Sequence, residues 1–374
     1  MIPYIVAYFI NLLFACVADV FYKQKPIYIL SLFLIIVVDT IFVGLRDFGV
    51  GIDTTVYIDD YFLQAKNIHS FSTFMLADGY DKAFLLLAKI ATLFSKSSQS
   101  LLVFTELFII SFTILGANVF KKNLGIKISI FLTLYWLIYL CHSENLMRQY
   151  CAMAILFWGF AYLLQGRTII YIISQICAFF FHSSSIVFLL APVVYFVSKA
   201  KSDRIKWIFA LLALLFIIIG LLSYYTMLEY VSKLNILKDV YSERYGQSSV
   251  YEREGGVSLG IRYILQTAMP FLIIFWAYIK KALKPEHMYM LIVMFLSMVL
   301  LEQLRFIMIY MFRLAHYFGM IYLVYMSLVM DSKKIAIVLK ITWLALLVIS
   351  FWKGFMTESS LGWDYRYSSK ILGI

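Results

Sequence analysis

The chain has 374 residues, of which 63% are hydrophobic and only 14% charged, and it carries a formal net charge of +11. Soluble domains average roughly 25% charged residues, so this composition excludes an ordinary soluble enzyme. Nor does the positive charge indicate nucleic acid, because most of it falls in short segments between apolar runs, where the positive-inside rule accounts for it.

Several of those runs reach about 20 residues, enough to cross a hydrocarbon core of roughly 30 Å as helix. Lipid admits only helices or closed barrels, and apolarity that is continuous rather than alternating selects helices. In chain order, spans are expected near 3–22, 26–45, 100–120, 126–142, 147–165, 168–182, 184–198, 207–225, 261–279, 287–303, 306–330 and 335–352. The stretch 83–95 is apolar but short, and reads as re-entrant or interfacial. Between Thr168 and Ser198 there is no Lys, Arg, Asp or Glu. One helix of that length would measure about 46 Å, so the polar cluster His182-Ser183-Ser184-Ser185 is taken as a break. The first run starts at Ile2 without a basic segment or a small-residue cleavage site and reads as a retained helix. The expected fold class is all-α: a polytopic transmembrane protein of about 11–12 spanning helices, one integral membrane domain over 1–374.

Basic residues set the orientation. Lys23 and Lys25, Lys121 to Lys127, Arg167, Lys199 to Lys206, Lys280 to Lys284, and Lys333 with Lys334 all fall in alternate connections, which are therefore assigned to the cytoplasm. The extracytoplasmic side then receives the segments at about 46–99 and 226–260, the turn from Glu144 to Gln149, the His182 cluster, the Glu302 to Arg305 turn and the tail after Lys353. The expected molecule carries a polar, arginine-bearing outer face over an otherwise plain hydrophobic body. Four cysteines without CxxC spacing suggest neither a zinc site nor a disulfide framework, and no Walker A, Rossmann or HExxH motif is present.

Candidate chemistry gathers on that face. The segment from Gly44 to Tyr57 is the densest: its glycines permit close backbone approach to a ligand, Arg46 offers a planar fork suited to phosphate, Asp53 can act as a base or orient an arginine, and Tyr57 with Tyr61 can form a stacking face for sugar. The competing reading is an interfacial loop with a snorkelling arginine and belt aromatics. Arg148 and Gln149 open a span and suit an anionic headgroup, unless Arg148 pairs locally with Glu144 one turn before it. His182 sits at a helix break, where it can be a ligand, an acid–base group or a satisfied structural histidine. Arg313, with His316, Tyr310 and Tyr317 nearby, lies in an apolar span, where an arginine is expensive; a structural ion pair is the alternative. The loop 226–260 and the tail at Trp363 to Tyr367 have mixed charge and many tyrosines, fitting either a substrate cover or a solvated loop.

Taken in order, Arg46 through Tyr57, Arg148-Gln149-x-x-Ala152, Phe181-His182-Ser183-Ser184, and Arg313 with Tyr317 resemble the signatures of the EpsG family of polysaccharide polymerases, related to the Wzy O-antigen and capsule polymerases. His142 and Glu144 have no place in that pattern. The resemblance implies a GT-C-like helical glycosyltransferase at the outer face of the bacterial inner membrane, with no cofactor and no metal. It would transfer a growing glycan from undecaprenyl diphosphate to the non-reducing end of another lipid-linked repeat unit, releasing undecaprenyl diphosphate. Its partners would be the undecaprenyl-diphosphate-linked oligosaccharide, membrane lipid, a chain-length regulator and a flippase. Arg46, Arg148 and Arg313, with Gln149, Tyr57 and Tyr317, would hold diphosphate and glycan, and His182 or Asp53 would serve as base. A flippase, a ligase-like or polyprenyl-linked sugar transferase, and an acyltransferase are the competing readings.

Overall fold

The computed structural model describes residues 2–51, 53–77, 79–212, 261–303, 311–356 and 366–374. All regular structure among them is helical. Helices α1 (Ile2–Val20) and α2 (Lys25–Gly44) form an antiparallel pair; a π-helical turn (Thr54–Ile58), α3 (Asp59–Asn67), α4 (Phe71–Met75) and α5 (Lys82–Phe94) follow. Then come α6 (Gln99–Leu124), α7 (Ile128–Asn145), α8 (Met147–Leu163) and α9 (Thr168–Phe181). A 3-10 turn (Ser183–Leu189) leads into α10 (Leu190–Ser198), and α11 covers 203–212. The remainder is α12 (Ile261–Ile279), α13 (Pro285–Gln303), α14 (Met311–Asp331) and α15 (Ile337–Met356). Five helices among the described residues (α1, α2, α6, α13 and α14) are long and apolar enough to cross a membrane, and the protein is a multi-pass membrane protein. Each expected span coincides with a helix except 184–198, where the 3-10 turn precedes the nine-residue α10, and 207–225, which lies mostly outside the described residues, as does the loop 226–260. The stretch 83–95 forms α5, whose Leu86, Ile90, Leu93 and Phe94 make one exposed stripe while Phe84, Leu85, Ala88 and Ala91 are buried, as period 3.6 requires of an interfacial helix.

The bundle has two chemically distinct ends. At one, Asp19 closes three elements together: it pairs with Lys121 at 2.7 Å and accepts from the backbone amides of Ile128 and Ser129 at 2.9 Å, so a residue of α1 caps the first turn of α7. Lys127 pairs with Asp331 at 2.6 Å, Gln165 donates to Asn123, and Lys334 donates to the Lys281 carbonyl. The basic connections after α1, α6, α8, α12 and α14 therefore share this end.

At the opposite end the chain reverses between α7 and α8 across the single residue Leu146, whose φ of −91° and ψ of 48° leave the helical region. The guanidinium of Arg46 is 1% exposed and bridges two helix termini: Nη1 donates to the Val43 carbonyl in the last turn of α2, and Nη2 donates at 2.7 Å to the Glu144 carbonyl in the last turn of α7. Its Nε donates to Val50 at 3.4 Å. These are orphan carbonyls at the negative ends of two helix dipoles, where a buried cation is favoured. Gly51 takes φ +84° and a Cβ there would stand 2.9 Å from the Glu144 carbonyl oxygen, so both the backbone conformation and the close approach require glycine. The Thr54 hydroxyl donates to the Phe48 and Gly51 carbonyls. Gln99 at the head of α6 donates to the Gly44 and Arg46 carbonyls, and the tail docks on the same loop through Tyr367 to Phe42 and Ser369 to Leu45.

The hydrophobic body is not plain, contrary to the expectation from sequence. Asp39 and Glu106, on α2 and α6, are 1% and 3% exposed and lie inside the bundle with Asn11, Thr113 and Tyr135. Single acids in long apolar runs do not disturb a hydropathy reading, which is why their convergence is invisible there.

Arg46→Lys retains the charge but replaces a planar fork with one ammonium that cannot reach three divergent carbonyls. The variant is expected to lose about 1–3 kcal/mol of stability, read as a lower melting temperature of the purified protein in detergent.

Candidate functional site

The π-helical turn, α3, the start of α5, α8, the end of α9 with its 3-10 turn, and α14 meet at the end opposite the basic connections, beside the α7–α8 corner. Arg148 stands in the first turn of α8. Its Nη1 makes a 2.6 Å ion pair with Asp81 Oδ2 and donates at 3.2 Å to the Tyr61 hydroxyl, and its guanidinium lies 4.0 Å over the Tyr57 ring and 5.7 Å from that of Tyr61. Asp81 precedes α5, and its amide donates at 3.0 Å to the Tyr61 hydroxyl, which locks carboxylate and phenol into one unit. The alternative of a local pair between Glu144 and Arg148 is not what forms: the break at Leu146 turns the two apart, Arg148 pairs with Asp81, and Glu144 Oε2 accepts from Tyr4 at 2.9 Å.

Next to Arg148 on α8, Gln149 donates at 2.5 Å to the backbone carbonyl of Arg313. That bond ties the start of α8 to α14, whose described part begins at Met311, so Arg313 occupies the first described turn. His182 ends α9, with its backbone extended at φ −162°. Its Nδ1 lies 2.6 Å from Ser184 Oγ, which lies 3.1 Å from the hydroxyl of buried Tyr317, one turn beyond Arg313. His182 is within the field of both Arg148 and Arg313. Asp53 donates its backbone amide to Asn145 Oδ1 at 3.1 Å, and its side chain feels the same two guanidinium groups. Burial pushes the Asp53 carboxyl up to about 6, and the Arg313 and Arg148 charges hold it from rising further. Burial likewise raises the Tyr61 hydroxyl, against the pull of Arg148.

The structure therefore brings Asp53, Tyr57, Arg148, Gln149, His182, Arg313 and Tyr317 to one place. Arg46 stands apart, with its fork directed to backbone carbonyls. Asp81 and Ser184 complete the group. Neither is prominent in the sequence: Asp81 looks like a plain helix-start acid, and its partner is 67 residues away. Trp363, Asp364, Tyr365, Arg305 and Tyr310 lie outside the described residues.

Chemically, two guanidinium groups in one place, that of Arg148 in the first turn of α8 where the helix dipole adds to its charge, give a strongly electropositive spot. An imidazole and a carboxyl near its ionisation point stand within that field. The combination can hold a polyanion and accept a proton beside it.

Removing the guanidinium of Arg148 takes away one of the two cations that favour ionised Asp53. In Arg148→Ala the Asp53 carboxyl is expected to titrate above its wild-type midpoint of about 6, measured by carboxyl carbon chemical shifts of labelled protein in nanodiscs; a downward or absent shift contradicts the arrangement.

Compared with known proteins, the model of the EpsG family matches residues 4–367. No curated protein and no solved structure matches the chain.

Proposed function

The chain belongs to the EpsG family, and from that premise we propose that it is a polysaccharide polymerase. In this reading it is a glycosyltransferase of the bacterial inner membrane with its site facing outward. The donor is a growing glycan on undecaprenyl diphosphate, and the acceptor is the non-reducing sugar of another lipid-linked repeat unit. The single observation that carries the reading is that His182 and Asp53 stand in the field of the same two guanidinium groups, Arg148 and Arg313.

In the reaction the acceptor hydroxyl oxygen forms a bond to the anomeric carbon. The bond from that carbon to phosphate breaks, and the diphosphate leaves with the electron pair. Negative charge grows on the leaving group, and Arg148 and Arg313 offset it from pre-set positions. Asp81 and Tyr57 hold Arg148 in place, while Gln149 fixes the backbone that carries Arg313. A charged leaving group of this kind needs no general acid. The hydroxyl proton goes to a base. His182 is base-competent at Nε2 when Nδ1–H donates to Ser184 and the Ser184 hydroxyl donates to Tyr317, a tautomer that the contact geometry allows. Asp53 is the other base candidate. Tyr57 and Tyr61 offer ring faces to sugar. Arg46 acts here by holding the loop that delivers Asp53. The basic connections at the far end support a cytoplasmic assignment for that end, with the segments at about 46–99 and 226–260 outside. A chain-length regulator and a flippase are its expected partners in the membrane.

A second reading, a transporter of lipid-linked oligosaccharide, draws support from the acids buried in the bundle, since transporters place ionisable groups within the membrane. A deletion strain separates the two: loss of long chains with retention of single capped repeats identifies a polymerase, and loss of all surface glycan identifies a transporter or ligase.

Arg148→Ala, Arg313→Ala and His182→Ala are each expected to reduce chain extension on lipid-linked repeats at least about 100-fold, the scale of losing a positioned charge or base, with one-repeat product retained. Normal long polymer in all three defeats the proposal. If Asp53 is the base, extension falls as pH drops through about 6 and Asp53→Asn abolishes activity; if His182 is the base, Asp53→Asn retains it.

A further inference from the structure

Beneath the Arg46 contacts, α1, α2, α6 and α7 enclose a polar core that the glycosyl-transfer reading leaves unused. Asp39 lies five residues before the end of α2 and Glu106 seven residues after the start of α6, which puts them about 8 and 11 Å into the bundle at 1.5 Å per residue. Glu144 joins them from the last turn of α7, fully buried. Glu106 faces both Asp39 and Glu144, and Asp39 faces Glu144. The one cation facing them among the described residues is Arg46. The other titratable groups around them are Tyr4 from α1, Tyr135 and Cys141 from α7, and Cys151 from α8. Tyr367 of the tail and, beyond it, Asp47 of the loop complete the surroundings. Three ionised carboxylates against one guanidinium would leave two uncompensated charges in a site closed to water, which a folded bundle does not sustain.

The hydrogen bonding makes the same demand independently. Asn11 Nδ2 donates to Asp39 Oδ1 and the Trp136 indole N–H faces the same carboxyl, while Asn11 Oδ1 is buried without a partner. A proton on Asp39 would supply a donor for that amide oxygen. Glu144 repeats the pattern, with Oε2 bonded to Tyr4 and Oε1 unpartnered. The Tyr135 hydroxyl, facing Glu106 and Asp39, meets the hydroxyls of Ser143 and Thr113, the latter two turns along α6 from Glu106. The unpartnered Asn11 and Glu144 oxygens point to something that supplies donors.

We propose that Asp39, Glu106 and Glu144 form a proton-binding site that holds two protons at neutral pH while the remaining negative charge faces Arg46. The protons come from water and bind carboxylate oxygen; no other bond changes. Because Arg46 also holds the ends of α2 and α7, the proton load of this core bears on the loop that carries Asp53: a fully ionised core would draw the guanidinium off its carbonyls.

Infrared spectroscopy of the full-length protein in nanodiscs tests this directly. At neutral pH wild type should show the carbonyl stretch of protonated carboxyl groups, shifted in heavy water, and Asp39→Asn, Glu106→Gln and Glu144→Gln should between them remove it. Absence of the band in wild type, or a band that all three variants retain, overturns the proposal. Melting provides a second readout that does not depend on any variant folding well. Protons held by the folded state and released on unfolding favour folding at low pH, and that advantage fades as pH rises, by about tenfold in the folding equilibrium per pH unit per proton. Wild-type melting temperature should therefore fall as pH is raised from 5 towards neutrality and beyond, more steeply than in Asp39→Asn/Glu106→Gln. Equal pH profiles, or stability that follows sodium concentration at fixed pH instead, would show that the core does not bind protons.

Discussion

One buried guanidinium holds this architecture in register. A helix end leaves carbonyls without partners, and within a membrane protein no water is at hand to satisfy them. Arg46 answers that need for α2 and α7 at once. In doing so it fixes the loop between Val43 and Thr54 against the end of α7, with Gly51 pressed on the same carbonyl. Asp53 and Tyr57 are thereby delivered beside Asn145 and Arg148. An arginine that sequence patterns associate with anion binding thus acts upstream of the site, by making the site's walls meet.

The site itself depends on a different economy. Arg148 stands in the first turn of α8, where the dipole opposes a positive side chain, and Arg313 stands on α14. Each is held nonetheless, Arg148 by the Asp81 carboxylate and two tyrosine rings, and the backbone of Arg313 by Gln149. A cation fixed in place in this way can stabilise an anion without reorganising. His182 gains its orientation from the Ser184 and Tyr317 hydroxyls rather than from a carboxylate, so the imidazole is not permanently charged by a fixed neighbour.

Much of this was legible in sequence. Apolar runs of about 20 residues located the helices because the bilayer sets their length, and the break at His182 followed from a run too long for one crossing. Lysine spacing separated the two ends of the bundle. Residue type and order also marked Asp53, Tyr57, Arg148, Gln149, His182, Arg313 and Tyr317, which do converge. Partnerships were not legible. Asp81 and Arg148 are 67 residues apart, and Ser184 and Tyr317 are 133 apart; only packing joins them. Nor was the division of labour among arginines, since Arg46 differs from Arg148 in what surrounds it and not in its local sequence. Asp39 and Glu106 escaped because each is diluted by some twenty apolar neighbours, while their meaning lies in facing one another across two helices.

The corner at Leu146 gathers these dependencies into six residues. Glu144 reaches α1 and Arg46, Asn145 reaches Asp53, Arg148 reaches Asp81 and the tyrosines, and Gln149 reaches α14. With one residue between two helices there is no slack to absorb an extra one. An insertion there would rotate the start of α8 by about 100° and carry Arg148 and Gln149 away from every partner simultaneously. The corner therefore behaves as a fixed datum for the whole chain: length variation in homologous chains should accumulate in the lysine-bearing connections at the other end and stop short of this point.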